Sequence, residues 1–299
     1  MQAIGFYLAL PFLYLISLLP PWLLYGFSDF VCFLLYNIIG YRKKVVAENL
    51  RNSFPEKSIE ERNEIMRRFY HYLCDLFLET FRTLTMSKSF ALKHVTFDES
   101  AMTLFNEYYH QQKSIIVVMG HFGNWEWAGN AFSLGCKQQL YVIYHPLVNP
   151  HYNHLIVNMR MRFGTKLIAM KDTFKNMVRN RKIISTTAFI ADQTPSPDNA
   201  YWTTFLHQDT PVFRGSEAIA KKLNYPVVYA SVHRIKRGYY KIFAETLFET
   251  PFETAVGEIS EAHTRKLESE IQLQPEIWLW SHRRWKHKKP ATVETSTGA

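Results

Sequence analysis

A short apolar stretch that stops at a glycine and leads into a helix constrains the fold of this chain more than any other feature. Residues 115–118 are an unbroken run of isoleucine and valine, which is typical of a buried strand. Gly120 ends the run, and Asn124 is a good N-cap for a helix with apolar residues at helical spacing. We therefore predict a strand, a turn and a helix in succession, with His121 on the turn and Glu126 in the first helical turn.

Because of this turn, the side chains of His121 and Glu126 can come into contact although they are five residues apart. On one straight helix, side chains five residues apart point about 140° away from each other. A bend between them lets the carboxylate fold back onto the imidazole, where it fixes the tautomer and raises the basicity of the free ring nitrogen. The pair is then a general base for a hydroxyl that attacks a carbonyl. A buried histidine bonded to the backbone is the competing interpretation, because chance pairs of this spacing are common.

The block His121-Phe122-Gly123-Asn124-Trp125-Glu126 resembles the His-x4-Asp/Glu block of glycerolipid and lipid A acyltransferases. Its Asn-Trp-Glu version resembles the late, or secondary, acyltransferases of lipid A biosynthesis. The resemblance extends over residues 34–286. The sequence differs from the family pattern at Gly120, where many lipid A enzymes have Asn or Ser.

The resemblance implies the reaction and its participants. A fatty acyl chain would pass from the thioester of an acyl carrier protein, or from acyl-CoA, to a hydroxyl of a lipid A precursor or related glycolipid. His121 would be the general base and Glu126 the residue that holds it, with Trp125 and Trp127 beside a long apolar groove. Neither a cofactor nor a metal is expected. The place of action would be the cytoplasmic face of the bacterial inner membrane.

Three further positions match the family and are predicted to bind substrate. Arg160 and Arg162 lie two residues apart on a predicted helix, so at most one reaches the cleft, and the resemblance selects Arg160 as a phosphate ligand. Asp192 follows a predicted strand and is expected to orient Arg160 or to contact an acceptor hydroxyl, with a turn cap as the alternative. Arg214, ahead of a predicted helix, is a weaker anion or acyl-chain candidate.

The charge and the apolar start of the chain favour a membrane. The 299 residues carry a net charge of +9, which suits nucleic acid, an anionic membrane or a phosphorylated substrate. Asp29 is the only charged residue in the first 39. Pro20-Pro21 splits this segment, so neither half is a clean run of the ~20 residues that span a bilayer. A kinked spanning helix, a re-entrant or interfacial helical pair and a buried core element remain open.

The aromatic and basic end of the chain, residues 275–286, also resembles the family. We predict that it contacts the membrane or a phosphorylated head group rather than nucleic acid. The histidines at 145, 151 and 154 match no zinc spacing, and three scattered cysteines argue against a zinc finger or a disulfide framework.

Strand and helix patterns alternate after Val95, which indicates an α/β fold: a mixed or largely parallel sheet flanked by helices, with an N-terminal hydrophobic helical anchor. A capping box at Ser58 and Glu61 predicts a long helix ahead of this part. We predict a membrane anchor at 1–40, a helical linker region at 41–95, a catalytic domain at 96–289 and a disordered tail at 290–299. Strands are expected at residues 115–118, 140–144, 185–190, 227–232 and 240–244.

Two other functions remain open at this stage. The first is acylation of a lysophospholipid, an aminoacyl lipid or a mannosylated lipid by the same chemistry. The second, of another class, is a lipid-binding membrane protein without catalysis. The enzyme hypothesis requires a carboxylate on the imidazole of His121 and an apolar slot for a fatty chain beside it.

Overall fold

A computed structural model describes residues 2–290 of the chain, so the predicted tail lies outside the described residues except for Pro290. The nine strands of this part are β1 (Val95–Phe97), β2 (Ile115–Met119), β3 (Gln139–Tyr144), β4 (Lys166–Ala169), β5 (Ser185–Ile190), β6 (Tyr201–Phe205), β7 (Gln208–Val212), β8 (Val227–Lys236) and β9 (Tyr239–Phe248). Seven of them form one sheet in the order β1-β9-β8-β2-β5-β3-β4, and β6 and β7 form a separate hairpin. Every neighbouring pair in the large sheet is parallel except β8 and β9, which confirms the predicted α/β fold.

The helices of the described chain are α1 (Gln2–Leu18), α2 (Pro21–Phe33), α3 (Lys43–Ser53), α4 (Ile59–Arg82), α5 (Lys88–His94), α6 (Glu99–His110), α7 (Trp125–Gly135), α8 (Pro150–Met161), α9 (Thr173–Arg179), α10 (Gly215–Leu223) and α11 (Glu258–Leu273). A π-helical segment, Leu34–Ile39, extends α2. The predicted capping box starts α4: the Ser58 hydroxyl accepts a hydrogen bond from the Glu61 amide, and the Glu61 carboxylate accepts one from the Ser58 amide.

Strand β2 lies inside the sheet, between β5 and β8, and both of its faces are covered. Ile116 and Val118 belong to the core that includes residues of α4 and α11, whereas Ile115 and Val117 pack with residues of α6 and α7. A strand buried on both faces needs a continuous apolar run rather than alternation, which is the pattern that the sequence has here. The carboxyl end of β2 therefore opens at the edge of the sheet where ligand sites are formed.

The five predicted strands are all present, and β8 and β9 each extend to ten residues. Strands β1, β4, β6 and β7 were not expected, because they are short or contain polar residues and prolines. The mostly polar residues 49–53 belong to helix α3, although a proline follows at position 55. Helix α3 continues to Ser53 because Val46 and Leu50 face the core.

The apolar start of the chain forms two helices that pack against α4. Helix α1 also touches α8 through Phe6, whose ring stacks on His151 at 5.4 Å. Among the described residues, one helical stretch, Pro21–Ile39, is long and apolar enough to cross a membrane. Most of its residues are exposed or only partly buried.

Candidate active site

His121 lies on the turn between β2 and α7, as predicted, and this turn depends on close backbone packing. Gly123 adopts φ +62°, and a Cβ atom there would lie 1.8 Å from the carbonyl oxygen of Val232. Only glycine tolerates that approach together with a left-handed backbone. The hydroxyl of Tyr72 donates a hydrogen bond to the carbonyl oxygen of Gly123 at 2.7 Å. The backbone amide of Gly123 donates to the carbonyl oxygen of Ile277 at 3.0 Å.

The carboxylate on the imidazole is that of Asp192 and not that of Glu126. The Oδ1 atom of Asp192 lies 2.6 Å from Nδ1 of His121, and Oδ2 accepts the backbone amide of His121 at 2.8 Å. Both pairings predicted from sequence, Glu126 on His121 and Asp192 on Arg160, are therefore corrected. The physical reason is topological: β5 lies next to β2 in the sheet, so the residue that follows β5 meets the residue that follows β2.

Asp192 is buried and is held as an anion. Burial by itself works against ionisation, but the nearby imidazole, the two hydrogen bonds from His121 and a third from the indole of Trp278 at 2.8 Å lower the pKa of Asp192 to about 2. Because Nδ1 then carries the proton that faces Asp192, Nε2 of His121 is the free nitrogen. The side-chain amide nitrogen of Gln193 lies 3.4 Å from this Nε2.

Gly120, the position that departs from the family, makes room for this arrangement. A Cβ atom at Gly120 would lie 3.2 Å from Oδ2 of Asp192 and 2.6 Å from Cδ1 of Leu267. A larger residue would therefore require Leu267 to move and would crowd the carboxylate. In this chain, glycine before the histidine leaves the Leu267 side chain and the Asp192 carboxylate in their observed positions.

The lowered pKa of Asp192 predicts a specific pH dependence of stability. Because the folded-state pKa is depressed, its contribution is complete above pH ~4 and is lost as the pH falls toward 2, and it amounts to about 2 kcal/mol. We expect the difference in unfolding free energy between the wild type and Asp192→Asn to shrink on acidification from pH 6 to pH 3. Denaturant titrations followed by tryptophan fluorescence measure it. A difference that stays constant over this range would contradict the assignment.

Glu126 forms its ion pair with Arg160 instead. Oε2 of Glu126 accepts Nε of Arg160 at 2.9 Å, and Oε1 accepts Nη2, which is a bidentate arrangement. Burial opposes the charge of the guanidinium, but Glu126 outweighs it and raises the pKa of Arg160. Among the described residues, Nη1 of Arg160 has no hydrogen-bond partner.

A single large cavity connects these groups. It has a volume of about 680 Å³, and His121, Trp125, Glu126, Arg160 and Gln193 all line it. This volume lies within the roughly 300–1,000 Å³ of typical ligand sites. Its inner part runs between α7 and the sheet, where apolar side chains enclose it: Phe105, Val117, Phe132, Leu140, Val142, Ala188, Ala230 and Ile242. The cavity has the lining that a fatty chain requires.

The remaining predicted residues divide between the cavity and other places. Trp125 lines the cavity and meets the His121 ring edge to face, with centroids 4.8 Å apart. Trp127 does not line it: this indole is fully buried and donates to the backbone of Glu79. Arg162 donates to the carbonyl of Thr83, so only one of the two arginines reaches the cavity, as predicted. Arg214 is exposed and outside the lining, because α10 packs against α11.

The three histidines of the 144–154 segment are separated by the fold. His145 is at the cavity, His151 stacks on Phe6, and His154 lies 2.9 Å from the amide of Asn158. Within residues 2–290, no group of three or more His, Cys, Asp or Glu side chains is arranged to hold a metal ion. None of the described residues that line the cavity is a serine or a cysteine.

The tryptophans of the C-terminal segment belong to the core, which corrects the prediction of a membrane-contacting patch. Trp278 and Trp280 are buried, and Trp285 packs on Phe205 with ring centroids 6.3 Å apart. The Trp278 indole donates a hydrogen bond to Asp192, so this tryptophan supports the His121–Asp192 pair from the core. Arg284 is also buried, and burial lowers the pKa of its guanidinium to about 10.

Sequence reasoning missed three residues that shape the site. Gln193 follows Asp192 directly, and that adjacency was the only available signal. Trp278 was noticed for its aromatic character but not as a hydrogen-bond donor to a carboxylate. Glu79, fully buried in α4, accepts the side-chain amide of Asn124 at 2.7 Å and thereby anchors the start of α7.

A histidine with a buried carboxylate lies at an apolar cavity that has room for a fatty chain. These are the features that an enzyme transferring a fatty acyl group to a hydroxyl requires. The family described as bacterial lipid A biosynthesis acyltransferase matches residues 1–287, and the chain belongs to it. The protein is thus a membrane-associated acyltransferase of lipid A biosynthesis, which confirms the resemblance noted in the sequence.

Two curated relatives are similar over most of their length. One is the lipid A biosynthesis palmitoleoyltransferase of Escherichia coli (strain K12), 23% identical over 249 residues, which are 82% of this chain and 79% of the relative. The other is the lipid A biosynthesis acyltransferase of Shigella flexneri, with the same identity and coverage.

Proposed function

We propose that the protein moves a fatty acyl chain from the thioester of an acyl carrier protein, or of CoA, to a free hydroxyl of a lipid A precursor or a related glycolipid. The reaction takes place at the cytoplasmic face of the inner membrane. The observation that carries this proposal is the His121–Asp192 pair at the mouth of the apolar cavity. Family membership supports lipid A as the acceptor pathway.

Nε2 of His121 takes the proton from the acceptor hydroxyl as its oxygen attacks the thioester carbonyl carbon. The carbonyl becomes a tetrahedral oxyanion, and its collapse breaks the carbon–sulfur bond. The departing thiolate accepts this proton from the imidazolium and leaves as a thiol. Asp192, in contact with Nδ1, stabilises the imidazolium during the interval in which it is charged. No acyl-enzyme is formed, so donor and acceptor occupy the site together.

Arg160 binds the negative charge of the substrates. Glu126 holds its guanidinium through two donors and leaves Nη1 directed to a phosphate of the acceptor or to the developing oxyanion. The first turn of α7 adds the backbone amides of Trp125 and Glu126, which have no partner within the helix.

A direct assay tests the reaction. Purified protein is incubated with acyl carrier protein thioester or acyl-CoA and a lipid A precursor in detergent, and released thiol and product mass are measured. We expect stoichiometric thiol and a product heavier by one acyl chain. A product only with lysophospholipid, aminoacyl lipid or mannosylated lipid would select the alternative acceptors. If no thiol were released with any acceptor, the protein would be a lipid-binding protein without catalytic activity.

The inner cavity predicts control over acyl length. Gly129 of α7 lines it, and a Cβ atom there would meet only Cδ2 of Leu140, at 3.9 Å. Gly129→Leu is expected to fill the space and to lower kcat/KM for a hexadecanoyl donor by about tenfold or more relative to a decanoyl donor. Gly129→Ala is the matched control, because it adds a methyl group and about 1 kcal/mol of helix propensity without filling the cavity. If Gly129→Leu had the same preference between the hexadecanoyl and decanoyl donors as the wild type, the acyl chain would not bind in this part of the cavity.

A further inference from the structure

The side of α2 that carries Tyr25, Ser28 and Asp29 is held against α4 and the β8–β9 turn. In α2, the hydroxyl of Ser28 donates to Asp75 at 2.6 Å, and the hydroxyl of Tyr25 donates to Glu79 at 2.8 Å. The guanidinium of Arg237, from the β8–β9 turn, bridges Asp29 and Asp75 with contacts of 2.7 Å to each. Asp29, the one charged residue of this region, is thus neutralised by protein and not by lipid.

These contacts extend along most of the helix. Tyr25 meets Glu79 near one end of α2, and Tyr36, in the π-helical extension, meets Tyr70 with ring centroids 5.1 Å apart. The two helices therefore run antiparallel in continuous contact. If Pro21–Ile39 crossed the bilayer, the same contacts would place α4 beside it and would carry the Asp29–Arg237 ion pair, with side chains 48% and 34% exposed, into hydrocarbon. Charged side chains inside hydrocarbon cost several kcal/mol each.

Helix α1 is fixed in the same way. The guanidinium of Arg82, at the end of α4, donates to the carbonyls of Ser17 and Leu19, and the hydroxyl of Thr85 donates to Ser17 at 2.6 Å. Phe6 and its neighbours pack on α8 and on Phe81 and Ile156, two residues that also line the cavity. One wall of the acyl cavity therefore has α1 as its outer cover.

The opposite side of both helices is apolar and exposed. The exposed side chains there are Ile4, Tyr7, Leu8, Phe12, Leu15 and Leu18 of α1 and Trp22, Phe30 and Phe33 of α2. Around the cavity, Phe77, Leu147 and Met170 both line the space and are about half exposed, and Val148 beside them is 96% exposed. Exposed apolar side chains that share one face of a helix pair mark a membrane or partner contact.

We propose that α1 and α2 lie in the plane of one membrane leaflet as an interfacial pair, and that neither crosses the bilayer. The occupant of their exposed face is the acyl region of that leaflet. The polar face is already satisfied by the catalytic domain, which makes the whole protein monotopic. The rim at Phe77 and Leu147 then borders the same leaflet, so a lipid acceptor enters the cavity laterally with its chains remaining in hydrocarbon.

Cysteine accessibility tests the topology. Ala3→Cys and Leu19→Cys, at the two ends of α1, are placed separately in a chain whose own cysteines are replaced by serine, with Lys93→Cys, exposed on α5, as the reference. A membrane-impermeant maleimide is added to spheroplasts or to inside-out vesicles. We expect all three positions to react only in inside-out vesicles. Reaction of position 3 or 19 in spheroplasts would show a crossing helix, and reaction only after detergent would show burial in the bilayer core; either overturns the proposal.

Vesicle binding tests the surface itself. The double variant Leu8→Asp/Phe12→Asp is expected to bind vesicles of phosphatidylethanolamine and phosphatidylglycerol at least tenfold more weakly than the wild type. Leu273→Asp, an equally exposed leucine on α11, is the matched control and should bind normally. The double variant should keep its activity on detergent-dispersed substrate. This result would show that the two substitutions weaken membrane binding and not the transfer reaction. Undiminished vesicle binding would contradict the proposal.

Discussion

His121→Ala is expected to lower kcat by about 10²–10⁴-fold, the range that a positioned general base contributes. The imidazole is the only titratable base that both touches a buried carboxylate and faces the apolar cavity among the described residues. Its removal leaves the donor and acceptor sites in place, so KM should change little. The rate is measured as thiol release under saturating donor and acceptor.

The fold should survive this change, since the imidazole packs at the cavity edge and not in the core of the sheet. A circular dichroism spectrum like that of the wild type and a single cooperative thermal melt establish that point, with a lower melting temperature expected because the buried Asp192 loses its imidazole partner. His154→Ala is the control, because this histidine is exposed on α8 and does not line the cavity. A His121→Ala protein that is folded and keeps most of its transferase rate would remove the proposed mechanism.

The second large effect separates the two carboxylates. Asp192→Asn is expected to lower kcat nearly as much as His121→Ala, because an amide at this position favours the wrong imidazole tautomer and cannot stabilise the imidazolium. Asp192 and His121 act as one unit, so the double variant should be hardly slower than either single variant. Glu126→Gln, by contrast, loosens Arg160 and should raise KM for the acceptor more than it lowers kcat.

Double-variant cycles distinguish this arrangement from the one that the sequence predicted. Glu126→Gln should be non-additive with Arg160→Ala and close to additive with His121→Ala in its effect on acceptor binding. The opposite result would be that Glu126→Gln is non-additive with His121→Ala while Asp192→Asn is additive with His121→Ala. Glu126 would then be the carboxylate on the imidazole in the working enzyme. The site would then need a rearrangement of the Glu126–Arg160 pair during the reaction.

Local pattern predicted the parts of the site that depend on neighbouring residues. The strand, the glycine-containing turn and the helix N-cap follow one another within 115–127, and all three formed where the residue types require them. The capping box at Ser58 also follows from helical geometry, as does the prediction that at most one of Arg160 and Arg162 reaches the cavity; the choice of Arg160 came from the family resemblance. The apolar β-branched run determined a central strand because nothing but burial on both faces suits it.

The sequence by itself thus determined the α/β class, the place of His121 at a strand end, and the apolar character of the first two helices. The tertiary structure alone decided which carboxylate meets which cation, because β5 lies beside β2 and α8 lies over α7 only after the chain has folded. It also decided that Trp278 and Trp280 lie in the core and that the N-terminal helices are fixed to α4. Such contacts join residues dozens to hundreds of positions apart, and no local periodicity or spacing carries information about them.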